Sequence, residues 1–190
     1  MKKAEKVVRV GLDLDGVIAR HSLGGFWVKV RKIKEKFLKR LRSPSYYYPK
    51  TIVEMNAWKI INWLRIPDKD GIKLIEQMRN NGYKFYLITG RFKFNYPLTI
   101  KWLKKYELFG FFEEVLVNTQ DKDPIKFKLE MINKKKINCF VDDDLEVLSS
   151  FNKENLKLFW VVPGHRNGDE NNHKHIISCS SLSDSLMKME

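Results

Sequence analysis

The stretch VVRVGLDLDGVIAR, residues 7–20, constrains this chain more than any other. Val7, Val8, Val10, Leu12 and Leu14 form an apolar run rich in β-branched residues, and its length suits a buried strand better than a helix. Asp13 and Asp15 stand at its end, with Gly16 just after. Residues two apart on a strand share a side, so both acids can face one cleft. Two carboxylates that close repel each other and prefer water. Placed at the end of an apolar strand, they call for a cation.

Further along, YKFYLIT (83–89), EEVLVN (113–118), INCFV (137–141) and LKLFWVV (156–162) are apolar runs of strand length. Helical patterns separate them. One runs from Asp68, an N-cap, to Gly82; others cover Pro97 to Tyr106, Ile125 to Lys135 and Leu145 to Asn152. A short helix starts near Leu182 with Ser181 as its cap, after an apolar IIS. Strands that are continuous apolar runs, alternating with helices, predict a parallel sheet buried on both faces. The expected class is α/β: a Rossmann-like three-layer αβα core around a mostly parallel five-stranded sheet. In open parallel sheets, ligands bind beyond the carboxyl ends of the strands. Asp13 and Asp15, Thr89, and Asp142 with Asp143 all fall at such ends, so three strand ends converge on one crevice.

Between the first strand and Asp68 the chain makes an excursion. Val30, Ile33, Phe37 and Leu41 recur at helical spacing, which predicts an amphipathic helix over 28–41 with a basic outer face from Lys29 to Arg42. A second helix is predicted over 53–64. The expected division is a core of residues 1–16 and 68–190, with residues 17–67 as a helical insert. Its aromatics, Phe26, Trp27, Tyr46, Tyr47, Tyr48, Trp58 and Trp63, mostly pack the insert itself, and one or two facing the cleft could stack on a base.

A length of 190 residues supports one core and a small extra module. Apolar and charged contents of 43% and 31% argue for a globular chain rather than a disordered one. No window is apolar for long enough to span a bilayer, and the aspartates interrupt the only run that could resemble a signal peptide. Cys139 and Cys179 are too few for a disulfide framework, so the expected compartment is the reducing cytoplasm. The formal charge of +13 favours anionic partners without choosing among phosphorylated metabolites, nucleotides, nucleic acid and an acidic membrane surface.

The sequence LDLDGVIA resembles the first motif of the haloacid dehalogenase superfamily of phosphatases. The rest of the chain outside the insert continues the resemblance: Thr89 in YLITGR matches the second motif, a lysine near the start of the 125–135 helix the third, and CFVDDD the fourth. The resemblance implies that Asp13 is a nucleophile forming an aspartyl-phosphate, and that Asp15 protonates the leaving alcohol and then activates water. It also implies Mg²⁺ held by the Asp13 carboxylate, the Asp15 backbone carbonyl and Asp143, with Asp142 behind them. Thr89 and the Gly90 N–H would bind phosphate oxygens. Lys126 and Lys128 both fit the third motif, and the spacing of Lys128 from Asp142 suits the family better. In this superfamily an insert between the first two motifs is a cap over the cleft. A short cap, a TGR-like second motif and the TIKWL helix are similar to the 5′-deoxyribonucleotidase group. The implied substrate is a nucleotide or another small phosphorylated metabolite. The alternatives are a phosphatase for nucleic-acid ends, or a binding protein that kept the scaffold without the activity.

Other polar residues read more plainly. Asp144 is expected to cap a helix and Glu146 to be structural; Arg91 could meet phosphate or solvent. His21 could touch substrate or sit in a solvated loop. His165, His173 and His175 lack the spacing and the cysteines of a zinc site.

Overall fold

A computed structural model describes residues 7–21, 48–151, 155–162 and 175–189. Its central element is β1 (Arg9–Leu12), flanked by β4 (Lys84–Phe92) and β6 (Cys139–Asp142). Beyond β4 lies β5 (Glu114–Asn118); beyond β6 lie β7 (Lys157–Val161) and β8 (Ile176–Cys179). All five pairings in this sheet are parallel. Among the described residues the sheet therefore has six strands, not five. The sixth, at one edge, comes from the short IIS segment, whose half-exposed side chains give no continuous apolar run to read.

Five helices among the described residues cover the two faces. On one side Val10, Leu12, Phe85, Leu87, Val141 and Phe159 pack with side chains of α2 (Lys69–Asn80), α3 (Tyr96–Lys105) and α6 (Leu182–Met187). On the other, Ile88, Phe140 and Leu158 pack with side chains of α4 (Pro124–Lys135) and α5 (Leu145–Ser149). This is the three-layer core that the apolar runs predict. Asp68, Asp144 and Ser181 each accept backbone N–H groups at the start of α2, α5 and α6, as helix capping requires.

The strand order sets the place of the site. The chain leaves β1 for β4 and β5, then crosses back to β6 on the other side. A crevice opens at such a switch point, outside the carboxyl end of β1. Two short strands outside the main sheet stand beside it. These are β2 (Ala19–His21) and β3 (Arg65–Pro67), paired antiparallel at the base of the insert, with α1 (Ile52–Trp63) leading into β3. Val17, Ile18 and Ala19 are fully buried in the first core cluster, so the turn after Asp15 is tied to the core. The helix predicted over 28–41 lies outside the described residues, as do Phe26, Trp27, Tyr46, Tyr47, His165 and His173. Among the described residues, no helix is long and apolar enough to cross a membrane.

Candidate active site

Register brings the first carboxylates together. Leu12 lies opposite Val141, and the N–H of Asp13 donates to the Val141 carbonyl at 2.9 Å. Asp13 and Asp142 thus leave neighbouring strands side by side, both buried. Lys128, in the first turns of α4 and only 5% exposed, reaches between them. Its Nζ donates to Asp142 Oδ2 at 2.6 Å and lies 3.0 Å from Asp13 Oδ1. Lys126 is exposed, and its backbone N–H is held by the Asp123 cap. Of the two lysines, the structure brings Lys128 to the acids.

Asp143 completes the group: one oxygen from each of Asp13, Asp142 and Asp143 lies within 4.8 Å of the others. Gly16 makes this possible. Its φ of +83° disfavours any side chain, and a Cβ there would stand 2.1 Å from Asp143 Oδ2. Three carboxylates therefore gather beside one ammonium, which contacts Asp13 and Asp142. Burial is the main cause pushing the Asp13 and Asp142 carboxyls above their ordinary values; Lys128 pulls both back, and the neighbouring acids push them further. Burial would lower Lys128, but the two carboxylates outweigh it and raise it. The donor set fits a hard divalent cation: oxygens only, with surplus negative charge. Both oxygens of Asp142 are engaged, Oδ2 by Lys128 and Oδ1 by the Asp144 N–H at 3.1 Å.

Asp15 sits in the opposite electrostatic setting. Arg91 clasps it with two hydrogen bonds, Nε to Oδ2 at 2.8 Å and Nη2 to Oδ1 at 2.6 Å. Arg65 adds a second guanidinium, with Nε 2.9 Å from Oδ1. Burial would raise the Asp15 carboxyl, but the two arginines outweigh it and hold it well below the usual carboxylate range. Arg91 is 6% exposed and faces Asp15, not solvent.

Arg91 reaches Asp15 because β4 does not stop at Thr89. Thr89 pairs with Val117, and the next pairing is Phe92 with Asn118, so Gly90 and Arg91 bulge out of the ladder. The Thr89 hydroxyl accepts the Arg91 N–H at 3.3 Å, and Gly90 packs on Pro124 at the start of α4. Arg65 has no sequence signal: it is one arginine among many on a basic insert, and only the β2–β3 pairing carries it to Asp15.

No family model and no curated protein matches the sequence. Solved structures do match. A haloacid dehalogenase-like family hydrolase from Streptococcus pneumoniae superposes with a TM-score of 0.59 at 12% identity, over 97% of this chain and 99% of that one. A HAD phosphatase from Thermococcus onnurineus gives 0.56 at 20% identity, over 96% and 97%. A 2-haloacid dehalogenase from Pseudomonas syringae gives 0.52 at 11%, over 97% and 100%. The chain has the haloacid dehalogenase-like fold. That scaffold is shared by phosphatases and dehalogenases, so the reaction has to be argued from the side chains.

Proposed function

We propose that this protein is a Mg²⁺-dependent phosphomonoester hydrolase acting through an aspartyl-phosphate on Asp13. The supporting observation is a site with two poles: three clustered carboxylates, two of them paired with one ammonium, beside two guanidiniums around one carboxylate. A cation pole and an anion pole side by side suit a phosphate ester held against a metal. The Asp13 and Asp143 carboxylates and the Asp15 backbone carbonyl would hold Mg²⁺, whose charge would offset that of the phosphoryl oxygens. Asp13 attacks phosphorus, and the bond to the leaving oxygen breaks with its electron pair passing to that oxygen. Asp15, ionised between its two arginines in the free site, takes up a proton with the substrate and passes it to the leaving oxygen. It then takes a proton from the water that releases inorganic phosphate and regenerates Asp13. Lys128 holds Asp13 and Asp142 in place, while Thr89 and the Gly90 N–H bind phosphoryl oxygens.

The proposed substrate is a nucleotide or a similarly small phosphorylated metabolite, with residues 17–67 as a cap that excludes water. The unpaired, buried Cys139 and Cys179 fit a cytoplasmic setting. The test is phosphate release from p-nitrophenyl phosphate and a phosphomonoester panel that includes nucleotides, with and without Mg²⁺. Asp13→Asn abolishes the activity if the nucleophile is right; unchanged turnover removes the assignment. Halide release from a 2-haloacid, without phosphate release, turns the reading to dehalogenation. Nucleic-acid ends are the second substrate class, motivated by the +13 charge together with the basic stretch from Lys29 to Arg42, and a steep salt dependence of oligonucleotide binding would support it.

A further inference from the structure

The two guanidiniums on Asp15 are not equivalent. Arg91 uses all three of its nitrogens: Nε and Nη2 donate to Asp15, and Nη1 donates to the Thr99 hydroxyl at 3.2 Å. It gives each oxygen of the carboxylate one hydrogen bond. Arg65 donates from Nη1 to the Ala19 carbonyl at 3.0 Å. Its Nε lies 2.9 Å from Asp15 Oδ1, an ion pair that is out of line for a hydrogen bond. A buried N–H that is charge-paired but not hydrogen-bonded is one that a ligand oxygen or water can serve. Asp15 is 27% exposed, so an oxygen arriving at its carboxylate from the cleft arrives beside Arg65 as well.

The support for Arg65 is firm. Its carbonyl accepts Trp102 Nε1 at 2.9 Å, and Trp102 is fully buried. Trp102 and Thr99 are three apart on α3 and share a face, so one helix secures the Arg65 backbone and the Arg91 side chain together.

Resting on the phosphomonoesterase reading above, we propose that Arg65 is a substrate-contacting residue whose guanidinium donates to the leaving-group oxygen beside Asp15. A cation there stabilises the charge that develops as the ester bond breaks. It matters most when the leaving group is a poor one. An alkoxide needs that stabilisation, whereas a nitrophenolate carries its own charge.

The experiment compares wild type with Arg65→Ala, Arg65→Gln and Arg65→Lys on an alkyl phosphate and on p-nitrophenyl phosphate, both with saturating Mg²⁺. For Arg65→Ala, kcat/KM falls about 10- to 100-fold on the alkyl ester and less than about 3-fold on the aryl ester. Arg65→Lys, which keeps the charge, recovers part of the alkyl loss. Calorimetry adds a readout free of turnover: Mg²⁺-loaded Arg65→Ala binds inorganic phosphate several-fold more weakly than wild type. The Trp102 bond is to the Arg65 main chain, so β3 stays anchored in each variant; if Arg65→Ala still fails to melt cooperatively, Arg65→Gln carries the test. Equal losses on the two esters, no loss, or faster alkyl turnover would overturn the role of Arg65 while leaving the phosphatase reading in place. A wild type that releases phosphate from neither ester removes that reading, and this inference with it.

Discussion

Replacing Lys128 with methionine removes the one ammonium that Asp13 and Asp142 share and keeps most of the side chain's volume. The Lys128 side chain is 6% exposed, and those of its partners Asp13 and Asp142 are 5% and 0% exposed. Breaking a buried pair of this kind costs about 3–5 kcal/mol, because an uncompensated charge stays behind. In a chain of this size each kcal/mol lowers Tm by about 2–4 °C, so metal-free Lys128→Met should melt about 6–20 °C below wild type at pH 8. The loss depends on pH with a definite sign. Asp13 is raised from the ordinary 3.8 to about 7. Between those values the folded state binds more protons than the unfolded one, so metal-free stability falls as pH rises. Lys128 is raised above its ordinary 10.5, so its stabilising contribution is complete at neutral pH and fades only in strong alkali. Without it the acids hold their protons more tightly, and the decline with pH steepens. The destabilisation should therefore be large at pH 8 and shrink toward pH 5, where the acids are neutral. Denaturant melts in EDTA at both pH values, at low and high salt, provide the measurement. An equal loss at the two pH values, a loss below about 1 kcal/mol at pH 8, or a strong salt dependence would refute the reasoning, since a buried pair is poorly screened.

The same charge imbalance sets how the site takes up metal. Mg²⁺ binding to wild type should release protons between about pH 5 and 7 and tighten as pH rises, because the ligands must ionise first; calorimetry in buffers of different ionisation enthalpy reads both effects. Asp143→Asn should weaken Mg²⁺ by at least about 10-fold in the same titration. Gly16→Ala should cost about 1–2 kcal/mol for its left-handed backbone and also displace Asp143, lowering Mg²⁺ affinity. Gly82→Ala is the control: Gly82 has nearly the same φ, +84°, and nothing within 4 Å, so it should lose stability alone.

How much of this was legible in the chain follows from which contacts the sheet imposes. The acids at 13, 15, 142 and 143 could be placed because each ends an apolar run, and a parallel sheet aligns such ends without further information. Lys128 could be chosen over Lys126 because the resemblance supplies a spacing, and helix geometry turns that spacing into reach. Three features left no such trace. The edge strand Ile176–Cys179 is half solvated, so its pattern is too broken to read. The bulge at Gly90 and Arg91 is a local irregularity inside a run that looks complete at Thr89. Arg65 depends on a three-residue pairing between segments 46 positions apart, and no periodicity encodes that contact. Those last two features build the positive pole around Asp15, whereas the negative pole around Asp13 comes from strand ends. The acidic side of the site is thus written into the sheet. The side around Asp15 is assembled by a bulge and by the β2–β3 pairing, so a change of sequence there acts on Asp15 and leaves the group of Asp13, Asp142 and Asp143 in place.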